Sequence, residues 1–350
     1  MTLKNNITQK LQIQYPVIQA PMLGVSTPAM AAEISKTGGL GSLPVGGLSP
    51  EATIELIRKT KSLTDKPFAV NLFVHEVPSY EESAIELMRQ FIINLAKKRG
   101  YPLTENDLSD FKFNNYRDQL EILVKENIKI ISFTFGCLDK KSIEYLKTND
   151  CILIGTATCV EEAMILKEHG IDLITAQGIE AGGHRGTFIE STSLPQVGLF
   201  ALLPQIIKQT QLPVIAAGGI NSPATIKAAF ELDAEAVQIG SAFIDSEESE
   251  AIESYRHLLV KAKDTDTVLT RAISGRWARG FENELIKAIE NSGLAIPPYP
   301  VQNSFTTKLR KLAQQANDHE YTTLWAGQSS NSTETKKSRD IFERLLQGII

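Results

Sequence analysis

The sequence predicts an α/β fold: a (β/α)₈ barrel carrying a helical insertion after its third strand and a helical C-terminal extension. Three observations predict it. Short apolar runs recur eight times before residue 245, each closing on glycine or small polar residues. The runs are β-branched and nearly continuous in apolar character, as strands covered on both faces must be, which is the pattern of a parallel sheet. Helical periods lie between them, and strand followed by helix, eight times over, is the arithmetic of a TIM barrel.

The first strand is read at "PVIQAPM" (16–22), and "TPAMAAEISKTG" follows as a helix with Thr27 as N-cap, Pro28 in the first turn and Gly38 as its stop. "GLGSLPV" (39–45) is the second strand, and "SPEATIELIRKTKS" repeats the cap-and-proline opening at Ser49-Pro50. "FAVNLFV" (68–74) is the third. "IKIISFTFG" (128–136), "CILIGTATC" (151–159) and "DLITAQG" (172–178) are the next three, with the helix "CVEEAMILKEHG" between the last two. "PVIAAGGI" (213–220) and "AVQIGSAF" (236–243) complete the eight, separated by a helix that starts at Ser222-Pro223. A barrel uses about 250 residues, so roughly 100 remain. Part of the excess is the insertion at about 76–127, with the amphipathic stretch "YEESAIELMRQFIINLAKKRGY". The rest follows residue 244, with helical patterns at 248–263, 281–292 and 304–318 around "IPPYPVQNS". The predicted organisation is a barrel over residues 1–244 and a helical segment over 245–350 covering the substrate end. The polar run "GQSSNSTETKKSRD" (327–340) reads as a surface loop before a last helix.

Composition narrows the function. The chain has 350 residues, is 42% hydrophobic and carries a formal charge of -5, with a pI near 5.7. That balance argues against nucleic acid or an anionic membrane as the main partner. No stretch approaches the roughly 18–20 apolar residues of a membrane span, and the N-terminus lacks a secretory core. A cytoplasmic protein is expected. The cysteines, Cys137, Cys151 and Cys159, are odd in number and suit neither a disulfide framework nor a zinc site. They read as buried thiols. No His/Cys/Asp cluster has metal-ligand spacing, so no metal is expected.

Barrel chemistry collects at the C-terminal ends of the strands. There the chain offers Ala20, Pro21 and Met22 after the first strand, Asn71 in the third, Gln177 and His184 at and after the sixth, Gly218 and Gly219 after the seventh, and Gln238, Ile239, Gly240 and Ser241 at the eighth. Glycines expose backbone N–H groups, and the turns after the seventh and eighth strands are where barrels often hold a phosphorylated cofactor. Each glycine pair alone also fits an ordinary tight turn. Asn71 and Gln177 carry amides that donate and accept, suited to a flat heterocycle with mixed edges, or equally to neighbouring loop backbone. His184 sits among Gly182, Gly183 and Gly186; it either caps a turn or moves a proton beside a ligand. Arg271, Arg276 and Arg279 cluster in an otherwise acidic chain, as an anion-attracting group or a solvated basic turn.

"VIQAPM", "GGLGSL", "AQGIEAGGHRGTF", "PVIAAGGI" and "AVQIGSAF", in that order, closely resemble the nitronate monooxygenases, formerly called 2-nitropropane dioxygenases. "SGRWARG", "YPVQNSFT" and "LWAGQS" resemble the C-terminal signatures of the bacterial class I branch. The resemblance implies an FMN-dependent barrel in which Asn71, Gln177, Gly182, Gly218, Gly219, Gln238, Ile239, Gly240 and Ser241 contact FMN and the backbone of Ala20, Pro21 and Met22 lies against its ring. It also implies that His184 is the active-site histidine and that Tyr299 and Lys308 line the substrate end. The implied partners are a small nitronate, such as propionate 3-nitronate, and dioxygen. The implied reaction is oxidative denitrification to an aldehyde or ketone plus nitrite. The alternative on the same scaffold is an FMN-dependent NAD(P)H oxidoreductase, an enoyl-acyl-carrier-protein reductase or a quinone reductase.

Overall fold

In the computed structural model, which describes residues 4–349 apart from 77, 110, 112, 190–193 and 332–334, all eight apolar runs are strands. In chain order the strands are β1 (Val17–Gln19), β2 (Gly41–Pro44), β3 (Phe68–Phe73), β4 (Ile130–Thr134), β5 (Ile152–Ala157), β6 (Leu173–Gln177), β7 (Gly183–His184), β8 (Val214–Ala217), β9 (Ala236–Ile239), β10 (Thr267–Thr270) and β11 (Ala278–Phe281). The barrel strands pair in parallel in the order β1-β9-β8-β6-β5-β4-β3-β2. A parallel bridge between Ile18 and Leu40 joins the two ends of that order and closes the ring. The architecture is a TIM barrel, as the strand count predicted.

Side chains alternate across each strand, so one layer fixes the next. Ile18, Leu40, Ala69, Ile130, Ile154, Leu173, Ile215 and Ala236 form a single cluster with Ile7 and Leu11. These are the inward residues of the lower barrel, and the helix Asn6–Leu11 plugs that end. Two residues further along, the same alternation turns Ala20, Ser42, Asn71, Ser132, Thr156, Thr175, Ala217 and Gln238 inward. The lower barrel is therefore aliphatic and the upper barrel carries amides and hydroxyls. The outward residues, among them Val17, Leu43, Val70, Phe133, Leu153 and Val237, pack under the helices in the main core.

The helix starts follow the sequence signals. Thr27 accepts from the Met30 N–H at 3.1 Å, Ser49 from Ala52 at 3.3 Å and Ser222 from Thr225 at 3.3 Å. A proline stands beside each cap, and each cap contributes about 1 kcal/mol.

The insertion and the C-terminal segment make a second core. Helix Glu82–Arg99 places Met88 and Ile92 against Val301, Phe305 and Leu309 of helix Val301–Gln315. Arg99 ties the two with an ion pair to Asp318 at 2.8 Å. Helices also occur at Glu253–Lys261, Glu284–Glu290 and Ser338–Leu345. The segment is not wholly helical, however: β10 and β11 form a hairpin that the sequence pattern did not reveal, and β7 adds to it as a third antiparallel strand. That small sheet joins the extension to the barrel mouth. Residues 332–334 of the polar run lie outside the described residues. No described helix is long and apolar enough to cross a membrane.

Candidate active site

The histidine loop is built from the end of β6. The Gln177 side chain donates through Nε2 to the His184 carbonyl at 3.0 Å and accepts from the Gly186 N–H at 2.8 Å. Both ends of the amide thus hold the loop backbone. A side chain at Gly186 would meet Thr156 at 2.6 Å and Thr134 at 2.8 Å, so the loop lies directly on the barrel mouth. Arg185 is buried beneath it and donates to the Gln177 carbonyl at 3.0 Å. Glu162, fully buried, anchors the outgoing chain: it accepts from Thr187 Oγ1 and from the Phe188 N–H, both at 2.7 Å. Gly183, at φ +73, makes the bend that turns His184 toward the hairpin, where it pairs with Ala278.

The imidazole stands in an aromatic box. Its ring centroid lies 5.3 Å from Phe135, 5.5 Å from Trp325, 6.1 Å from Phe73 and 6.3 Å from Tyr299. Nε2 is 2.8 Å from Ser274 Oγ, a buried hydroxyl in the turn between β10 and β11. Burial pushes the His184 pKa down to about 3, with Arg276 and Arg310 adding to the effect, so the ring is neutral at physiological pH. Burial also pushes the Tyr299 phenol up to about 12.

Both nearby guanidiniums lack a counter-ion. Arg276 stacks over Phe135 at 4.3 Å and donates to the Thr187 carbonyl at 2.6 Å. Arg310 donates to Thr306, Thr307 and Thr323 hydroxyls and to Asn303. Burial lowers each to about 10, which leaves both charged. Among the described residues neither forms a salt bridge. Arg279 differs: it is spent on the Ile179 carbonyl at 3.0 Å and on Thr267, and so pins the small sheet.

Beside the histidine loop lie the glycine turns: a Cβ on Gly218 would sit 3.1 Å from the Ala181 nitrogen. Gly218 and Gly219 after β8 have φ +113 and +68, and the Gly240 turn follows β9. Among the described residues no protein acceptor takes the N–H of Gly218, Gly219 or Gly240, which leaves a cradle of free donors. Ala20 and Met22, on either side of Pro21, flank Gly240; a Cβ there would sit 3.4 Å from Ala20 and 3.5 Å from the Met22 sulfur. Ser241 Oγ accepts from the Gly327 N–H at 2.9 Å. A Cβ on Gly182 would come within 2.4 Å of the Gly327 nitrogen, so both glycines serve a close backbone crossing. Asn71 faces into the barrel and donates to Ser132 Oγ at 3.0 Å. Gln238 also faces inward, whereas the Ile239 side chain is in the outer core and only its backbone reaches the mouth.

The structure therefore gathers Gln177, His184 and Tyr299 with Ala20, Met22, Gly218, Gly219, Gly240 and Ser241 around one barrel mouth. Lys308 is not among them. Its ammonium is exposed and 3.7 Å from Asp107, on the outer side of helix Val301–Gln315. Arg310, two residues on, is the cation that faces the phenol and imidazole. Sequence reading also passed over Phe73, Phe135, Ser274 and Trp325. Trp325 and Gly327 stood within "LWAGQS" and Ser274 within "SGRWARG", but Arg310 had no local signal.

The nitronate monooxygenase family model matches residues 4–348. The chain belongs to the nitronate monooxygenase family. It is 39% identical over 347 residues to a probable nitronate monooxygenase of Staphylococcus aureus, covering 99% of this chain and 97% of that protein. Among solved structures, the nitroalkane oxidase of Streptomyces ansochromogenes superposes with a TM-score of 0.88 at 32% identity, covering 98% and 97% of the two chains. FabK from Thermotoga maritima superposes at 0.75 with 27% identity, covering 99% and 96%. As a nitronate monooxygenase family member the chain is an oxidoreductase acting on small molecules.

Proposed function

We propose that this protein is an FMN-dependent nitronate monooxygenase that converts alkyl nitronates, propionate 3-nitronate among them, with dioxygen to an aldehyde or ketone and nitrite. The observation that carries the reading is a neutral imidazole set beside two guanidiniums that lack counter-ions. A nitronate is a carbanion delocalised onto a nitro group, so its binding needs positive charge and no strong base. Arg276 and Arg310 supply that charge in a site walled from water by Phe73, Phe135, Tyr299 and Trp325, where it acts at low dielectric. His184, held at Nε2 by Ser274, and the neutral Tyr299 phenol line the place where the nitro oxygens would lie.

The cradle supports the cofactor. The N–H groups of Gly218, Gly219 and Gly240, without a protein acceptor among the described residues, match a phosphate. Asn71 and Gln238, turned inward between that cradle and the histidine, offer amides to a flat heterocycle. When bound, FMN supplies the electron-accepting chemistry; the chain orients the nitronate, holds its charge and excludes water.

The test is an anaerobic titration of the purified yellow protein with propionate 3-nitronate, followed by its visible spectrum, with nitrite measured after air is admitted. Flavin reduction without any nicotinamide, then stoichiometric nitrite, is expected. Rapid bleaching by NADH or NADPH with no response to nitronate would instead favour the reductase reading that the likeness to FabK raises.

A further inference from the structure

The space beside the histidine is larger than a short alkyl nitronate needs. A cavity of about 610 Å³ opens at the ends of β3 and β4, across the ring from the β8 and β9 turns, and is walled on one side by the loop that follows β6. Cavities of about 300–1,000 Å³ hold drug-sized ligands. It shares a wall with the catalytic centre, since Phe135 touches both the His184 ring and the Arg276 guanidinium.

The charges along its wall are unequal. Its carboxylates, Glu76 and Asp139, are both engaged by Arg117, at 3.0 and 2.9 Å. Among the described residues Arg271 and Arg276 have no such partner. Arg271 uses Nε on the Gly275 carbonyl at 3.1 Å, and Arg276 uses one terminal nitrogen on Thr187. Their other guanidinium nitrogens make no hydrogen bond among the described residues. His75, only 8% exposed, lies edge-on to Tyr299 at 4.7 Å, and its buried Nδ1 is likewise without a hydrogen bond. A buried donor or acceptor without a partner is costly, so such groups are expected to find one in a bound molecule. Around these polar groups the wall is apolar: Phe135, Phe188 and the half-exposed Trp277 at the rim.

We propose that this cavity binds the body and carboxylate of the substrate, with the carboxylate on Arg271, an apolar or aromatic segment lying along Phe135 and Phe188, and Arg276 standing between the carboxylate and the nitronate. The preferred substrates are then acids in which several carbons, not merely two, separate the nitronate from the carboxylate. This rests on the nitronate reading above. A guanidinium with free donors suits a carboxylate held by paired hydrogen bonds, and the stacking of Arg276 on Phe135 fixes the second cation in advance.

The experiment uses the flavin-loaded full chain and acids without a nitro group. Calorimetry and tryptophan fluorescence follow the binding of 4-phenylbutyrate, propionate and 4-phenylbutylamine. The phenyl acid is expected to bind at least tenfold more tightly than propionate, with no saturable binding of the amine. Arg271→Gln and Arg276→Lys are each expected to weaken the phenyl acid about tenfold or more. The arginine at 271 is partly exposed, so its variant tests the idea even if the buried position tolerates no change. Equal affinity for the two acids, equal affinity for acid and amine, or unchanged affinity in both variants would overturn the proposal. These ligands are not oxidised, so the outcome is separate from turnover. Nitrite release from propionate 3-nitronate without binding of the phenyl acid would sink this inference alone, and binding without nitrite release would sink the nitronate reading alone.

Discussion

At the scale of single residues, the site turns on a histidine that is not poised to titrate near neutrality. With its pKa pushed down to about 3 by burial and by two cations, His184 is a fixed neutral ring, and under the proposed function it would partner an anion. Replacing it with asparagine keeps a polar side chain in the box but removes the ring. His184→Asn is expected to retain flavin and to lose turnover at least tenfold, a barrier rise of about 1.4 kcal/mol; flavin absorbance and initial rates of nitrite release measure the two. The same variant reports on stability. The unfolded histidine titrates near 6.5, the folded one far lower, so above that value the two states bind equal numbers of protons. As pH falls from 6.5 toward 3 the unfolded chain takes up a proton that the folded chain refuses, and the wild type loses stability. Denaturant midpoints of wild type and variant should therefore diverge between pH 7 and pH 5, with the wild type losing more. His184 was legible because its glycines advertise a loop approaching a ligand. Its partners were not: Ser274 lies 90 positions away and Arg310 further still, and nothing local in "AISGR" or "KLRKL" says that folding will bring them to that ring.

At the scale of elements, the mouth is a set of loops held by buried polar anchors, and Glu162 is the clearest. From helix Val160–Glu168 it gathers the Thr158 N–H, the Thr187 hydroxyl and the Phe188 N–H, and so ties the end of β5 to the chain that leaves the histidine. Glu162→Ala would strand these donors in the core, each at about 1–3 kcal/mol. A loss of roughly 2–4 kcal/mol in stability is expected, with a larger fall in kcat/KM than in flavin content; chemical denaturation and steady-state kinetics check it. The helix was predicted from its apolar period, but that period alone gives a glutamate on it no reason to be buried. The same limit hid the hairpin of β10 and β11. Thr267–Thr270 and Ala278–Phe281 are four residues each, too short for alternation to stand out, and Arg279 within the second is a buried pin where sequence suggested an anion-attracting group or a solvated basic turn. The barrel strands were legible for the opposite reason. Strands covered on both faces must be continuously apolar, and closing each one at a site requires a glycine or small polar residue at its end.

At the scale of the whole molecule, the barrel divides its labour between its two ends, and the division is testable. Its lower interior is aliphatic and stoppered by helix Asn6–Leu11, with Ile7 and Leu11 in contact with inward residues of the barrel strands. Its upper interior carries Asn71, Ser132 and Gln238 and opens to the loops. Conserving a shape at one end and a chemistry at the other requires that strain at the plug not reach the mouth, and the closed ring of parallel strands supplies the stiffness for that. Leu11→Ala removes a buried side chain from the plug, and the cavity left behind costs about 2–5 kcal/mol. The expected result is a lower denaturation midpoint with flavin content and kcat for nitronate within about twofold of wild type. A fall in kcat as large as that of His184→Asn would mean that the plug sets the geometry of the mouth, and the two ends would then have to be treated as one mechanical unit.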